Sequence, residues 1–573
     1  MRFSLPDWII LIATLVVIIL YGVYKSKTNR NLDGYFLGNR EMPWFIILLS
    51  IMGTQASAIT FLTAPGQAYT DGMRFVQYYF GIPLAMIVVA FTFVPIFHRL
   101  KIYTAYEYLE QRFDVKTRTF TSFLFLLSRG LSTGISIYAP SLVLHSMLGW
   151  DVYVTNIFMG GLVIIYTVSG GAKAVAYTQQ LQFVIIYTAM FLAAYYVIDM
   201  LPKGISFADA LHISGKSGKL NVISTGMENG SFNWKDRYNI WSGIIGGFFL
   251  SLSYFGTDQS QVGRYLTAKS IRESRLGLLM NGLVKVPLQF SILLIGALLF
   301  SFYMFYQAPV FFNLAQERIV KQSNYAGDYI NAEKEYATIQ QDKQATAVEL
   351  SKALDANDEF RIDQLRMRLQ DHENESRILR DSVKTIIRKA SPGSDPNDTN
   401  YIFLRFVGDY LPNGLVGLII AIIFLAAWGS IAAALNSLAS CTMVDFHLKF
   451  SKTRMSAERE YYWSKLYTLM WGIFCIVIAQ FAYNLGNSLI EAVNILGSWF
   501  YGTILGVFLV AFYFKWVKGN AVFIAAILAE TVVIVVYFLD IISFLWLNAI
   551  GAIAVILFAV TLQPFLGKKA LAH

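Results

Sequence analysis

Long apolar runs recur from one end of this chain to the other, and they constrain its fold more than any other feature. Of its 573 residues, 56% are hydrophobic and only 14% are charged. A helix needs roughly 20 apolar residues to cross a bilayer. We therefore predict an all-α polytopic membrane protein with about thirteen transmembrane helices. The predicted spans are, in order, 6–24, 43–69, 74–98, 120–148, 153–170, 176–201, 239–258, 277–307, 410–448, 462–484, 487–514, 519–539 and 543–566.

Basic residues in the connections predict the orientation of these spans. Lysine or arginine follows every odd-numbered span, as Lys101 and Arg112 follow span three. Because positive residues favour cytoplasmic loops, we expect the amino terminus outside and the carboxyl terminus in the cytoplasm. The membrane expected is the plasma or inner membrane.

Polar residues interrupt the second span at its centre. The run from Pro43 to Tyr69 contains Gly53-Thr54-Gln55-Ala56-Ser57, where a plain spanning helix would be apolar. Unwound backbone at membrane depth is tolerated only where it is buried or lines a cavity, and its freed carbonyls can hold a cation. The alternative is a glycine-flexed helix that packs closely on its neighbours.

A second interrupted span favours the interpretation as a transport site. Span seven contains Gly246-Gly247, Ser251, Ser253 and Gly256-Thr257-Asp258-Gln259. Spans two to six and seven to eleven form two sets of five, and an odd number per set gives them opposite orientations.

The predicted divisions are 1–42 (first flanking helix and cytoplasmic loop), 43–201 (first repeat), 202–238 (external loop), 239–313 (start of the second repeat), 314–400 (external helical hairpin insert), 401–514 (rest of the second repeat) and 515–573 (carboxyl-terminal flanking helices).

The insert is charged and helical in its pattern. Two arms within 314–392 carry apolar residues every three or four positions, and Asp355-Ala356-Asn357-Asp358 separates them. Ser391-Pro392-Gly393 closes the second arm. We predict an external helical hairpin that is structural or that binds an unknown external partner.

Four motifs resemble those of the sodium:solute symporter family. They are Tyr103-Thr-Ala-Tyr-Glu-Tyr-Leu-Glu-Gln-Arg-Phe, Tyr166-Thr-Val-Ser-Gly-Gly-Ala-Lys-Ala-Val, Gln259-Ser-Gln-Val-Gly-Arg-Tyr, and Leu435-Asn-Ser with Asp445. The bacterial sialic acid carriers and the iodide/monocarboxylate/vitamin branch look most similar. The resemblance covers nearly all of the chain except 314–392, and it implies a LeuT-like core of ten helices in two inverted five-helix repeats.

The resemblance also implies a sodium site between spans two and nine. Its expected positions are the backbone carbonyls of Gly53, Ala56 and Ala426 and the side chains at Gly429 and Ser430. The family usually has two adjacent hydroxyls where this chain has Gly429-Ser430. One oxygen is therefore missing, and water or a neighbour such as Ser57 would have to replace it.

Members of the family with an additional sodium site have an aspartate and further hydroxyls that this chain lacks. The aspartate position is Gln179, and the hydroxyl positions are Ala432 and Ala433. Both halves of that site are missing together, so we expect one sodium ion per solute.

The solute residues are likewise implied by the resemblance. The expected cavity-lining positions are Gln55, Thr60, Tyr79, Ser251, Lys285 and Asn494. Tyr79 replaces a glutamate of the sugar carriers, and Ser132 replaces the arginine that binds the sialic acid carboxylate. An intramembrane lysine is expensive and points to function. The alternatives for Lys285 are a side chain that snorkels at the end of span eight or one that is paired with a carboxylate.

Two further assignments concern Arg129 and the inner gate. Arg129 lies three residues before Ser132, so it either receives an anionic solute or pairs with Glu491. Tyr254 and Phe255 stand at the inner-gate position of the family, although aromatic residues in helices are often only core.

These features predict a sodium-coupled secondary active symporter that imports a small polar organic solute, either carboxylate-bearing or sugar- or polyol-like, by alternating access. A channel or a transport-like sensor is the alternative, but the polar breaks are isolated and form no continuous pore stripe. We expect no enzyme, because the cytoplasmic loops contain no metal-binding, phosphate-binding or nucleophile motif. The expected partners are the solute, sodium and the lipid bilayer, with no nucleic acid.

Overall fold

The protein is almost entirely helical in its computed structural model, which describes residues 3–25, 31–393, 395–451, 455–482 and 488–566. Short 3-10 helices cover Gly38–Arg40, Met73–Tyr79 and Thr399–Tyr401, and π-helical segments cover Val89–Phe93, Ser242–Gly246 and Thr442–His447. Strands β1 (Met227–Glu228) and β2 (Ser231–Phe232) pair in an antiparallel ribbon. The α-helices are α1 (Leu5–Lys25), α2 (Leu32–Leu37), α3 (Trp44–Gln55), α4 (Ala58–Asp71), α5 (Ile82–Val88), α6 (Val94–Leu100), α7 (Glu107–Arg112), α8 (Val115–Leu148), α9 (Val152–Asp199), α10 (Phe207–Lys216), α11 (Gly247–Gly256), α12 (Gln259–Tyr265), α13 (Ile271–Phe305), α14 (Leu314–Lys321), α15 (Ala326–Asp355), α16 (Glu359–Ala390), α17 (Ile402–Tyr410), α18 (Leu415–Cys441), α19 (Leu448–Phe450), α20 (Ala457–Ala479), α21 (Leu489–Tyr513), α22 (Gly519–Phe538) and α23 (Phe544–Leu566).

The second predicted span is broken in the structure. Helices α3 and α4 meet at 61° across Ala56 and Ser57. Among the described residues, ten helices are long and apolar enough to cross a membrane, and the bent pair α3–α4 makes eleven. Val152–Val168 and Ser242–Gly256 are shorter apolar helices. The chain is thus an all-α protein with many membrane-spanning helices.

Spans five and six fall within one helical segment that is kinked between them. Helix α9 contains both, and its backbone leaves the helical region at Gly171, with φ 61° and ψ −174°. A side chain is strained at this positive φ, which glycine adopts readily. A Cβ at this position would also lie 3.1 Å from the Tyr35 carbonyl oxygen.

Helix α18 is the central element of the bundle. Nearly every residue from Val416 to Cys441 is buried, and the helix packs against α1, α3, α8, α9 and α20. Its predicted start at residue 410 is wrong, because α17 ends there and α18 begins at Leu415. The Asp7 carboxylate of α1 accepts hydrogen bonds from the backbone of Gly414 and Gly417, which satisfies donors at the start of α18.

Three of the four motifs form hydrogen bonds between separate segments of the bundle, namely the motifs that begin at Tyr103 and at Gln259 and the one that contains Asp445. The Gln259 amide donates to the Tyr103 carbonyl at 2.7 Å and accepts from the Ala105 amide at 3.0 Å. Asp445 is fully buried and accepts hydrogen bonds from Arg118 and Thr104 at 2.7 Å. These contacts show that the motif residues link separate helices rather than line the central cavity.

The insert forms a helical hairpin of α15 and α16 that is docked on the bundle. A buried apolar cluster joins the two arms to α10 and α13, and it contains Ile213, Phe300, Met304, Phe305, Ala347, Leu350, Ala353, Ile362, Leu365 and Leu369. At the other end of α16, Arg380 binds both carboxylate oxygens of Asp398 at 2.7 and 2.8 Å. Burial opposes the charge of Arg380, but Asp398 raises its pKa above the usual value. The hairpin is therefore more than a solvated appendage.

Docking of the hairpin gives the first prediction. Leu350→Ala removes a fully buried side chain from the apolar cluster, and such truncations cost roughly 2–5 kcal/mol. We expect faster amide hydrogen exchange across α15 and α16, measured by mass spectrometry. Phe360→Ala is the control, because Phe360 is 75% exposed on α16. Equal exchange in both variants would contradict the docking role of the cluster.

Candidate functional site

A polar cavity lies beside the break between α3 and α4. Its empty volume is about 960 Å³, with open solvent included, and it is bounded by residues of α3, α4, α5, α8, α11, α13, α18 and α21 and of the 3-10 segment Met73–Tyr79. All of the positions expected to contact solute line it, namely Gln55, Thr60, Tyr79, Arg129, Ser251, Lys285 and Asn494. Both expected gate residues, Tyr254 and Phe255, line it as well. The structure therefore brings these nine residues together.

Among the described residues that line the cavity, Lys285 is the only lysine. It is 3% exposed, and its ammonium lies 5.3 Å from the ring centroid of Tyr79. Within the described residues it makes no hydrogen bond and no salt bridge. The snorkelling alternative is wrong, because the side chain is buried beside the cavity. The alternative of a carboxylate partner is not supported either, because the group over which the cation lies is an aromatic ring.

Amides and hydroxyls supply the other polar groups of the wall. Tyr78 donates to the Asn494 side-chain oxygen at 3.1 Å, and Gln55 donates to Asn281 at 3.1 Å. The Asn494 side-chain nitrogen is buried and has no hydrogen-bond partner among the described residues. The Asn494 side-chain nitrogen can therefore donate a hydrogen bond to an oxygen of the solute.

Arg129 is neutralised by Asp258 and not by Glu491. The Arg129 guanidinium binds the fully buried Asp258 carboxylate, and it donates to the Tyr501 hydroxyl at 2.9 Å. Tyr501 in turn donates to Asp258 at 2.9 Å. The guanidinium carbon of Arg129 also lies 5.3 Å from the ring centroid of Tyr254. Of the two alternatives for Arg129, the pairing with Glu491 is wrong.

Glu491 is occupied elsewhere. It accepts hydrogen bonds at 2.8 Å from Arg237 and from the Tyr238 hydroxyl. In the sequence, Glu491 lies in an apolar run, whereas Asp258 belongs to the polar break of span seven. The choice between them is a tertiary one, since Asp258 follows α11, where the bundle brings it against α8 and α21.

Sequence reasoning also missed Tyr78 and Tyr501 as wall residues. Both lie in ordinary aromatic runs, in which most members are core. No local pattern separates them from their neighbours, so only the packing of the bundle identifies them.

The break in α3 releases carbonyl groups at the positions expected to bind sodium. The Ser57 amide donates to the Gln55 carbonyl at 2.9 Å instead of to Gly53, and the Thr60 amide donates to Ser57 at 3.0 Å instead of to Ala56. The carbonyls of Gly53 and Ala56 thus lose the donors that a continuous helix supplies. Such carbonyls offer hard, neutral oxygens of the kind that bind alkali cations.

The opposite wall of this expected site is the middle of α18. The Ser430 hydroxyl donates to the carbonyls of Ala426 and Ala427 at 3.0 and 3.1 Å. Because its proton is used in this way, its lone pairs remain available to a cation. Ser430, Thr54 and Ser57 also line the solute cavity, so the two expected sites adjoin.

Gln179 fills the space between these two walls. Its amide nitrogen donates to the Gly429 carbonyl at 3.0 Å and to the Thr54 hydroxyl at 3.2 Å, while its oxygen accepts from Ser50 at 2.8 Å. Close contact is possible because Gly53 has no side chain, since a Cβ there would lie 3.0 Å from that of Gln179. A neutral amide therefore bridges α3 and α18 without an ion.

A bundle of membrane-spanning helices with a polar cavity beside a broken helix is typical of a membrane transporter. Residues 35–332 and 385–529 match the model of the sodium:solute symporter family. The chain belongs to this family and is a multi-pass, sodium-coupled solute symporter that works by alternating access. The predicted family, class of function and coupling ion are confirmed. Between these two matched ranges, the unmatched residues 333–384 lie in α15, in α16 and in the turn between them.

Individual relatives are similar over different lengths. The chain is 25% identical over 566 residues to the sodium/sialic acid symporter SiaT of Proteus mirabilis, which covers 98% of this chain and 95% of that protein. It is 32% identical over 282 residues to sodium-coupled monocarboxylate transporter 1 of Homo sapiens, which covers 49% and 45%. A solved substrate-bound, outward-open structure of a sodium-coupled sialic acid symporter has a TM-score of 0.75 at 24% identity and covers 98% of each chain. That similarity shows the fold.

The available lone pairs of the Ser430 hydroxyl give the second prediction. Ser430→Ala removes one cation ligand, and we expect the sodium half-saturation of uptake to rise about five- to tenfold, as for the loss of one neutral polar contact. Ser437→Ala is the matched control. Ser437 is a buried serine of α18 that also donates one turn back, at 2.8 Å to Ala433, but it does not line the cavity. An unchanged sodium half-saturation in Ser430→Ala would refute the assignment.

Proposed function

We propose that the chain imports a small carboxylate-bearing solute with one sodium ion per solute. The observation that carries this proposal is Lys285, a buried cation on the cavity wall without a carboxylate partner among the described residues. The described lining contains no aspartate or glutamate. Because Asp258 balances Arg129, the cavity keeps one formal positive charge, from Lys285.

A bound carboxylate would balance that charge. Removing an ammonium group from water is costly unless it is paired. A solute carboxylate that binds Lys285 recovers part of this cost, whereas a neutral sugar does not. The free Asn494 donor and the hydroxyls of Thr60 and Ser251 then suit further oxygens of the same solute. A hydroxyl-rich acid fits these groups better than a simple polyol.

The relatives support an anionic solute. Sialic acid and monocarboxylates, which appear in the names of SiaT and the monocarboxylate transporter, both carry carboxylates. This chain differs from the sialic acid carriers at Ser132, where it lacks their carboxylate-binding arginine. Ser132 donates only to the Arg129 carbonyl at 3.2 Å. We assign the carboxylate-binding role to Lys285 instead.

The topology proposed for this function has thirteen spans. It adds the short apolar helices Val152–Val168 and Ser242–Gly256 to the eleven longer ones. Two inverted repeats within 43–201 and 239–514 would place the cavity between them, with the flanking helices outside. The basic connections support an external amino terminus in a plasma or inner membrane, which puts the hairpin of α15 and α16 outside. A partner for that hairpin stays a proposal.

The alternative of a channel or a transport-like sensor has no support in the site. The site favours a transporter, since the polar groups surround one cavity beside the helix break instead of following a pore. A sodium gradient then drives uptake if sodium binds one conformation better than the other.

The charge of Lys285 gives the third prediction. Lys285→Gln should raise the half-saturation for the solute on the order of ten- to a hundredfold, because a hydrogen bond to a charged group contributes about 1.5–3 kcal/mol. Lys285→Arg keeps the charge and should recover part of the affinity. A thermal-shift screen against short carboxylates, sialic acids, sugars and polyols, with and without sodium, would identify the solute first. If only neutral sugars stabilise the protein, the anionic proposal fails.

Coupling gives the fourth prediction. Gln179 is held by Ser50, Thr54 and Gly429, and Ala432 and Ala433 offer no side-chain oxygen, so we expect no second sodium site there. One sodium ion with a monoanion moves no net charge. Solute accumulation in proteoliposomes at a fixed sodium gradient should therefore not change with membrane potential.

A steep dependence on potential would indicate two sodium ions and contradict this ratio. Gln179→Asp combined with Ala432→Ser and Ala433→Ser should move the ratio towards two. Gln179→Asp alone should not, because an unpaired buried carboxylate takes up a proton.

A further inference from the structure

A second glutamine of α9 occupies the space that a side chain at residue 429 would take. A Cβ placed on Gly429 would lie 2.7 Å from the amide oxygen of Gln182 and 3.3 Å from Cγ of Gln179. Gln182 follows Gln179 by three residues, so both point from one face of α9 towards α18. The position without a hydroxyl is therefore filled by an amide oxygen from another helix.

The two glutamines differ in what holds them. The side-chain amide of Gln179 is held in place by hydrogen bonds to Ser50, Thr54 and Gly429. Gln182 is 2% exposed, and its amide nitrogen has no hydrogen-bond partner among the described residues. A buried polar group without a partner is costly. Because no hydrogen bond fixes its amide, the Gln182 oxygen is free to turn towards an ion.

The chemistry of this oxygen suits sodium. Hard cations bind carbonyl and hydroxyl oxygens, and side-chain amide oxygens serve as well. The proposed site offers carbonyls from Gly53, Ala56 and Ala426 and the Ser430 hydroxyl, which leaves it one oxygen short of a set with two hydroxyls. An amide supplies that oxygen without adding a buried charge.

We propose that Gln182 is a further sodium ligand and that its side-chain oxygen replaces the hydroxyl that Gly429 lacks. This inference rests on the sodium site of the proposed function. Gly429 and Gln182 act as a compensating pair: the glycine makes room, and the amide supplies the oxygen. A serine at 429 would occupy the same space and supply the hydroxyl itself.

The test is a double-mutant cycle on purified protein without solute. Sodium binding is measured by equilibrium dialysis with radioactive sodium, and the sodium half-saturation of uptake is measured in parallel. Gln182→Leu should weaken sodium binding on the order of five- to tenfold. Gly429→Ser combined with Gln182→Leu should return it to within about twofold of the parent, which is within the spread of a weak polar contact. Gly429→Ser alone should keep the parent affinity, because the flexible end of Gln182 can give way.

Ser430→Ala, with Ser437→Ala as its control, distinguishes a failure of this inference from a failure of the proposed sodium site. If Ser430→Ala leaves sodium binding unchanged, the site itself is wrongly placed. If Ser430→Ala weakens binding but Gln182→Leu does not, the role of Gln182 is overturned. If Gly429→Ser fails to restore binding in the Gln182→Leu protein, Gln182 acts by packing and the inference also fails. Gln182→Met serves as a second variant if Gln182→Leu does not fold, and the same outcomes apply to it.

Discussion

The break between α3 and α4 is the constraint on which the rest of the site depends. A helix inside a bilayer can give up backbone hydrogen bonds only if buried groups replace them. At Ala56 and Ser57 the lost bonds leave the carbonyls of Gly53 and Ala56 without their helical donors. The amide of Gln179 and the buried helix α18 close this region from the other side. A cation is well suited to such carbonyls, so the break in the helix and the chemistry of the ion are linked.

Charge in the cavity follows from which ion pairs the bundle forms. Arg129 and Lys285 are both cations that line the cavity, yet Arg129 binds Asp258 and Tyr501 whereas Lys285 faces the ring of Tyr79. The paired arginine links α8 to the residue that follows α11, and it contributes little net attraction for an anion. The unpaired lysine attracts an anionic solute more strongly. The solute class therefore depends on a pairing between helices that are far apart in the chain.

The hairpin of α15 and α16 shows how far composition alone can mislead. Its charged, periodic sequence is typical of a solvated surface helix, and the two arms with a break near Asn357 were predicted. Its apolar positions are few but lie on the sides that meet α10 and α13, where they form a separate buried cluster. Periodicity indicates that a helix has an apolar face, but it does not say which element covers that face.

The sequence by itself determined the class of fold, marked the second span as interrupted and named seven of the residues that line the cavity. Apolar length sets the spans, polar residues at mid-span mark the break, and the motif resemblance placed all seven solute positions on one cavity. Only the tertiary structure decided that Asp258 and not Glu491 pairs with Arg129, that Lys285 is buried beside the cavity, and that Gln182 fills the space beside Gly429. The physical reason is the distance along the chain between the residues that interact. Helices and their breaks depend on neighbours along the chain, whereas ion pairs and cation ligands join residues that only the packing of α3, α8, α9 and α18 brings together.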